Sequence, residues 1–284
     1  MTAMPETDEL DLILNLETIE LDMFRGHTPP GRTQRIYGGQ VIGQALTAAY
    51  QTIDGRLCNS LHAYFIRGGD PKVPILYKVE RARDGGSFSI RRVIAIQHGQ
   101  QIFNLAASFQ TPESGFEHQI KMPDAPAPET LLNETQLREQ AGLTTPSDWA
   151  WPIEVRPVNP LPHGRKAPAD PIYIVWFRAS TPFRDNVAAQ QSILAYASDM
   201  TLMDASLRPH GVDWDSGGLQ AASLDHAVWF HRPSDLREWH LYVQESPSAS
   251  GGRGFNRASI FTLDGRLIAS ATQEALIRRR EPKS

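Results

Sequence analysis

Asp199, Ser223 and Gln273 form the set in this 284-residue chain whose side-chain types, taken together, can do chemistry on a bound substrate. An aspartate can accept a proton from water, while a hydroxyl and a carboxamide can fix that water's orientation. Such a set needs no protein nucleophile, and it suits an electrophile already activated toward attack, as a thioester is. Gln273 is the one polar side chain in the alternating series Leu267, Ala269, Ala271, Gln273, Ala275, Ile277. A buried amide costs about 1–3 kcal/mol unless it is hydrogen-bonded. Asp199 follows a helical stretch and is flanked by Tyr196, Met200, Leu202 and Met203. A carboxylate near a helix C-terminus is disfavoured by about 0.3–1 kcal/mol. Ser223 begins the strand running to Phe230, where a serine ordinarily bonds local backbone. Taken singly, Gln273 also fits a core glutamine tied to backbone, and Asp199 an exposed cap. A helix N-terminus near Asn186 or Gly39 offers N–H groups for an oxyanion, and the sequence does not choose between them.

The familiar signatures of other catalysts are missing: no Gly-x-Ser-x-Gly elbow, no Walker loop, no His-Glu-x-x-His and no Gly-x-Gly-x-x-Gly after a strand. His62 and His226 occupy matching places in two halves of the chain, which suits a structural role or the lining of a substrate tunnel. A metal at Asp225, His226 and His231 is rejected, because strand alternation sends neighbouring residues to opposite faces. The single cysteine, Cys58, excludes an intrachain disulfide and a cysteine-based zinc cage, and reads as a half-buried structural residue.

These side chains need elements to hold them. Eleven of the 21 prolines fall between Thr111 and Pro171, so residues 116–170 read as a connection, with a short helix over Glu129 to Ala141. The flanking spans, residues 10–115 and 171–282, follow one plan. In the first, Ile19, Leu21 and Met23 alternate as a half-buried strand over Thr18 to Phe24. A small-residue helix runs from Gly39 to about Gln51. Strands follow through Leu61–Phe65, Ile75–Val79, Phe88–Ile96 and Phe103–Phe109, with turns at Asp84-Gly85-Gly86 and His98-Gly99. The second span has a strand at Tyr173–Phe177, a helix from Val187 to about Met200, and strands through Leu224–Phe230, Trp239–Val243, Phe255–Thr262 and Leu267–Ile277. Phe65-Ile66-Arg67 and Asp70 stand 165 positions before Phe230-His231-Arg232 and Asp235, and Arg91 and Gly99 stand 166 before Arg257 and Gly265. The chain is a tandem duplication. In this register Gln273 corresponds to Ala107, and Asp199 falls near Thr52. A helix apolar on nearly every side must be buried on nearly every side. The expected fold is therefore α+β, a double hotdog: two curved antiparallel sheets, each wrapping a central helix, merged so that vulnerable edges are hidden.

Composition is that of an ordinary globular protein, 40% hydrophobic and 21% charged, with net charge −4. No basic field is available for nucleic acid, and no apolar run reaches the ~18 residues of a membrane span. The acidic N-terminal residues are not a secretory signal, and Glu281-Pro282-Lys283-Ser284 is not a Ser-Lys-Leu address. A cytoplasmic location is expected.

The longest distinctive runs are Tyr37-Gly38-Gly39-Gln40-Val41-Ile42-Gly43-Gln44-Ala45, Leu61 to Asp70 (LHAYFIRGGD) and Leu224 to Pro233 (LDHAVWFHRP), with Phe24-Arg25-Gly26, Ser248-Ala249-Ser250 and Arg253-Gly254-Phe255 beside them. Over nearly its whole length the chain resembles the acyl-CoA thioesterase II (TesB-like) family. The resemblance implies acyl-CoA hydrolysis, no metal or organic cofactor, and a homodimer or homotetramer. The family's Asp, Thr/Ser and Gln set maps onto Asp199, Ser223 and Gln273. Many members carry threonine at the position of Ser223, and serine lacks the methyl group that stiffens χ1. An acyl-CoA substrate brings phosphates, for which Arg81, Arg83, Arg91, Arg92, Arg253 and Arg257 are candidates. The Arg278-Arg279-Arg280 tail reads as solvated. Two other readings remain open: a hotdog enoyl-CoA hydratase or dehydratase, which ordinarily needs an Asp–His pair on its central helix, and a non-catalytic acyl-CoA-binding module.

Overall fold

Two helices of this chain have almost no side facing water, and the rest of the fold follows from them. The computed structural model describes residues 9–30, 35–144, 151–163, 167–214 and 218–279. A short helix α1 (Glu9–Leu14) precedes strands β1 (Glu17–Glu20) and β2 (Met23–Gly26) and the first central helix, α2 (Gly38–Tyr50). Every residue of α2 from Gly39 to Ala49 except Thr47 is buried. β3 (Leu57–Phe65), β4 (Ile75–Asp84), β5 (Phe88–Gln97) and β6 (Gln100–Gln110) come next. The Pro-rich connection carries α3 (Glu134–Gln140) and a strand, β7 (Ile153–Pro157). Then follow β8 (Ile172–Ala179), the second central helix α4 (Val187–Ser198), a short α5 (Asp204–Leu207), β9 (Leu219–Ser223), β10 (Asp225–Phe230), β11 (His240–Ser250), β12 (Arg253–Thr262) and β13 (Leu267–Arg279). Nine consecutive residues of α4, Gln190 to Ser198, are buried. No helix among the described residues is long and apolar enough to cross a membrane.

The strands form one antiparallel sheet in the order β1-β2-β4-β5-β6-β3-β10-β13-β12-β11-β8-β7, with β9 added beside β13. At its centre β3 pairs with β10, Tyr64 opposite Asp225 and Ser60 opposite Trp229. The order is mirrored about that pair, β2-β4-β5-β6-β3 against β8-β11-β12-β13-β10, so the repeat read from the sequence is a repeat in space. Joining the two units through β3 and β10 leaves neither strand with an unpaired row of backbone groups. This is the double-hotdog arrangement.

Within the sheet α2 and α4 run antiparallel in close contact. A Cβ at Gly39 would lie 2.3 Å from the Tyr196 carbonyl oxygen, and one at Gly43 3.1 Å from that of Ser192. Only glycine permits this approach. Polar side chains buried on the helices are satisfied: Gln44 Nε2 donates to Ile13 O (2.8 Å) and His27 O (2.9 Å), and Gln191 Nε2 to Cys58 O (3.0 Å). Cys58 is 2% exposed, more deeply buried than its sequence context indicates.

Three elements differ from expectation. The half-buried strand over Thr18–Phe24 is a hairpin: Glu20 pairs with Met23 across a turn at Leu21-Asp22, where Asp22 has φ 57°. Aspartate tolerates that conformation, so the apparent alternation breaks, and Ile19 and Leu21 are exposed. The strand read from Ser223 to Phe230 is two strands, β9 and β10, separated at Leu224. The connection contributes β7 to the sheet and covers its outer face. Met122, Ala125, Leu131 and Val158 pack on a second apolar cluster of Trp176, Trp239, Leu241 and Phe261, and Trp176 Nε1 donates to Pro126 O at 2.9 Å.

Candidate active site

β13 brings Gln273 to the inner face of the sheet in a row with Ala269, Ala271 and Ala275, all at most 1% exposed. β9 lies beside it, with Ser223 opposite Ala275. Beyond Leu224 the chain moves on to pair with β3, and the Leu224 carbonyl accepts from Phe65 N at 3.0 Å, where β3 ends. Ser223 thus stands where the sheet opens. Below the opening, the C-terminus of α4 and the N-terminus of α2 meet, because the helices are antiparallel. Asp199 is the C-cap of α4. Its carboxylate accepts from the Gly39 backbone N–H at the start of α2, so the favourable dipole of α2 offsets the unfavourable one of its own helix. A Cβ at Gly38 would lie 2.6 Å from Asp199 Oδ2.

The three predicted residues converge. Gln273 Nε2 donates to Asp199 Oδ1 and, at 3.1 Å, to Ser223 Oγ. Ser223 Oγ donates to Asp199 Oδ1 at 3.3 Å. Gln273 Oε1 is buried and has no hydrogen-bond partner. Asp199 is 9% exposed. Burial pushes its carboxyl up to about 7, against the lowering influence of Gln273, Ser223 and the Gly39 N–H. Desolvation of the charged form therefore outweighs three hydrogen bonds to it. The result is a base poised near neutrality.

Asp199, Ser223, Tyr37 and Gly38 line a cavity of about 730 Å³ that extends between α3, β7 and α5. Part of its wall comes from the connection, including Leu137, Ile153 and Pro160. A second carboxylate on this wall, Asp204, accepts from Trp214 Nε1 at 2.7 Å and is likewise raised to about 7 by burial.

His62 and His226 are not equivalent, a correction to the sequence reading. They stand 164 positions apart rather than 165, and one residue of offset on a strand reverses the face. His62 is exposed on the outer face, edge-on to Trp229 with ring centroids 5.0 Å apart. His226 is 1% exposed behind Asp199, its Nε2 2.8 Å from Ser198 Oγ and its Nδ1 4.0 Å from Asp199 Oδ1. Burial lowers its imidazole to about 3, so it is neutral at pH 7. No sequence signal placed it beside Asp199, since the two are 27 positions apart on different elements. Arg91, a phosphate candidate, is 2% exposed, and its guanidinium is spent on Thr52 Oγ1 (2.8 Å), Thr52 O (3.0 Å), Arg83 O (3.1 Å), Ile90 O (3.0 Å) and Asp84 (2.7 Å). It is closed to a solvent-borne phosphate. Arg81, Arg83 and Arg92 lie on β4 and β5, in the other half of the sheet, with Arg81 paired to Asp22. Arg257 is exposed and paired with Glu245, and Arg253 with Glu274 at 2.9 Å. Arg280 lies outside the described residues.

Comparison with known proteins identifies the family. A family description reading acyl-CoA thioesterase matches residues 145–276, and one reading acyl-CoA thioesterase N-terminal domain matches residues 27–110. Acyl-CoA thioesterase 2 of Haemophilus influenzae is 41% identical over 276 residues, covering 94% of this chain and 96% of the relative. Acyl-coenzyme A thioesterase 8 of Homo sapiens is 40% identical over 281 residues, covering 94% and 88%. The crystal structure of acyl-CoA thioesterase II TesB2 from Mycobacterium marinum superposes with a TM-score of 0.79 at 41% identity, covering 96% of this chain and 99% of that one. Fold and relatives agree: the chain belongs to the acyl-CoA thioesterase II (TesB-like) family.

Proposed function

We propose that this protein hydrolyses acyl-CoA thioesters to free acid and coenzyme A, with Asp199 as the general base. One observation carries the reading: a buried carboxylate that ionises near pH 7, held by Ser223, Gln273 and the Gly39 N–H, faces a cavity large enough for an acyl chain. Gln273 gives its Nε2 to Asp199 and Ser223, which line the cavity and hold the attacking water. Asp199 takes a proton from that water as its oxygen bonds to the thioester carbon. Gly38, at the positive end of α2, lines the cavity where the oxyanion develops. The α4 N-terminus suits this role less, because Asn186 already accepts from Ala189 N (2.9 Å) at the opposite end of the antiparallel pair. Collapse of the tetrahedral intermediate breaks the C–S bond, and the proton on Asp199 passes to the departing thiolate.

The test is release of free thiol from an acyl-CoA chain-length series, wild type against Asp199→Ala. A loss of about 10²-fold or more in the variant supports the base. A folded wild type that binds acyl-CoA and releases no thiol makes the protein a binding module instead. A dehydratase would need both Asp199 and His226 to touch substrate, and His226 does not line the cavity. Within this reading residues 10–115 and 171–282 act as two units joined by 116–170, and the protein works in the cytoplasm as a homodimer or homotetramer, which sedimentation equilibrium tests.

A further inference from the structure

A second hollow, of about 270 Å³, adjoins the active-site cavity. The two share Leu207 and Val212 as walls. Arg253, Arg278 and Arg279 line the second hollow, and among the described residues no carboxylate does. Arg253 is engaged by Glu274. Arg278 and Arg279 are exposed and have no carboxylate partner among the described residues. The Arg278 side chain lies across Gly252, 3.3 Å from where a Cβ would stand, and Gly252 has φ 75°. The turn between β11 and β12 is therefore bare of side chain where the arginine crosses it.

The position of this hollow connects it to the site. β9 runs from Leu219, on its wall, to Ser223, beside Asp199. On β13 the paired residues are Arg279 opposite Leu219 and Ala275 opposite Ser223. Four residues of strand span about 13 Å, a distance that the pantetheine arm of coenzyme A covers. Arginine forks match phosphate oxygens, and the apolar Leu207 and Val212 suit the arm between the two ends.

We infer that this hollow holds the phosphates of the coenzyme A moiety, with the pantetheine arm lying along β9 over Leu207 and Val212 to deliver the thioester to Asp199. The inference rests on acyl-CoA hydrolysis as proposed above. It replaces the reading of Arg278 and Arg279 as a solvated tail and selects Arg253 from the six arginine candidates.

The experiment compares the full-length wild type with the double variant Arg278→Glu/Arg279→Glu on two substrates bearing the same acyl group, its coenzyme A ester and its N-acetylcysteamine ester, which has no phosphates. The readout is the ratio of the two kcat/KM values. It falls about tenfold to a hundredfold in the variant, through KM for the coenzyme A ester. An unchanged ratio overturns the site, whether both rates stay constant or both fall together. If the wild type turns over neither ester, the hydrolase reading fails, and coenzyme A binding by calorimetry decides the site: weaker binding in the variant upholds it and equal affinity overturns it. Arg253→Gln gives the same readout from the other side of the hollow.

Discussion

Asp199 carries a conflict between function and stability that can be measured from both sides. As a base it must be ionised, so kcat/KM should rise with pH through about 7 and level off above it. The neighbouring Asp204 is raised to a similar value, and a pH profile of Asp204→Asn that keeps the limb in place assigns it to Asp199. For stability the sign is opposite. An unfolded aspartate ionises near 3.8, so between that value and about 7 the folded state holds the extra proton, and stability falls as pH rises through this window. Asp199→Asn should therefore melt a few degrees above wild type at pH 8, converge with it near pH 4, and be inactive throughout. Thermal scans at the two pH values check this. Ser223 bonds Asp199 and Gln273 through its hydroxyl. Ser223→Ala should lower kcat by about tenfold, the worth of roughly one hydrogen bond, whereas Ser223→Thr keeps the hydroxyl and stays near wild type.

At the scale of elements, the site depends on how closely α2 and α4 approach. Gly39 touches the Tyr196 carbonyl and also gives its N–H to Asp199. Gly39→Ala would push the helix end away, costing about 1–3 kcal/mol by overpacking and lowering kcat, which denaturant melts and kinetics measure together. The helices and most strands were legible because burial leaves a periodicity of 3.6 or 2 in residue type. The hairpin of β1 and β2 differs from the single expected strand because alternation through the exposed β1 occurs without burial. The break at Leu224 left no mark either, since an apolar residue between two strands resembles one within a strand. Trp239 and Leu241 are buried, and their cover is the Pro-rich connection rather than a central helix.

For the whole molecule, the central β3–β10 pair makes the two units dependent on each other. Separately expressed, residues 1–115 would expose the β3 edge and the α2 surface that α4 covers. That fragment should be insoluble or self-associated, and coexpression with residues 116–284 should restore solubility; gel filtration distinguishes these outcomes. The division of labour between the halves is also a property of the whole. Asp199 caps the C-terminus of α4, whereas α2 is capped by Gln51 with Thr52 beside it, bonded to the buried Arg91, so only one of the two pseudo-equivalent helix ends carries a carboxylate as its cap.

The sequence by itself determined the duplication and the two buried helices and singled out Asp199 and Gln273 by their asymmetry between the halves, while Ser223 came from the family resemblance. The duplication, the helices, Asp199 and Gln273 each leave a local trace: a register that repeats, a helix without a polar face, or a side chain whose charge or amide its counterpart lacks. Only the tertiary structure decided that the α2 N-terminus meets Asp199, that His226 stands neutral behind it, and that Arg91 is sealed while Arg253, Arg278 and Arg279 share a hollow. Those facts depend on which ends of two antiparallel helices lie together and on which face a strand residue points, and a one-residue offset reverses the second without altering composition or motif.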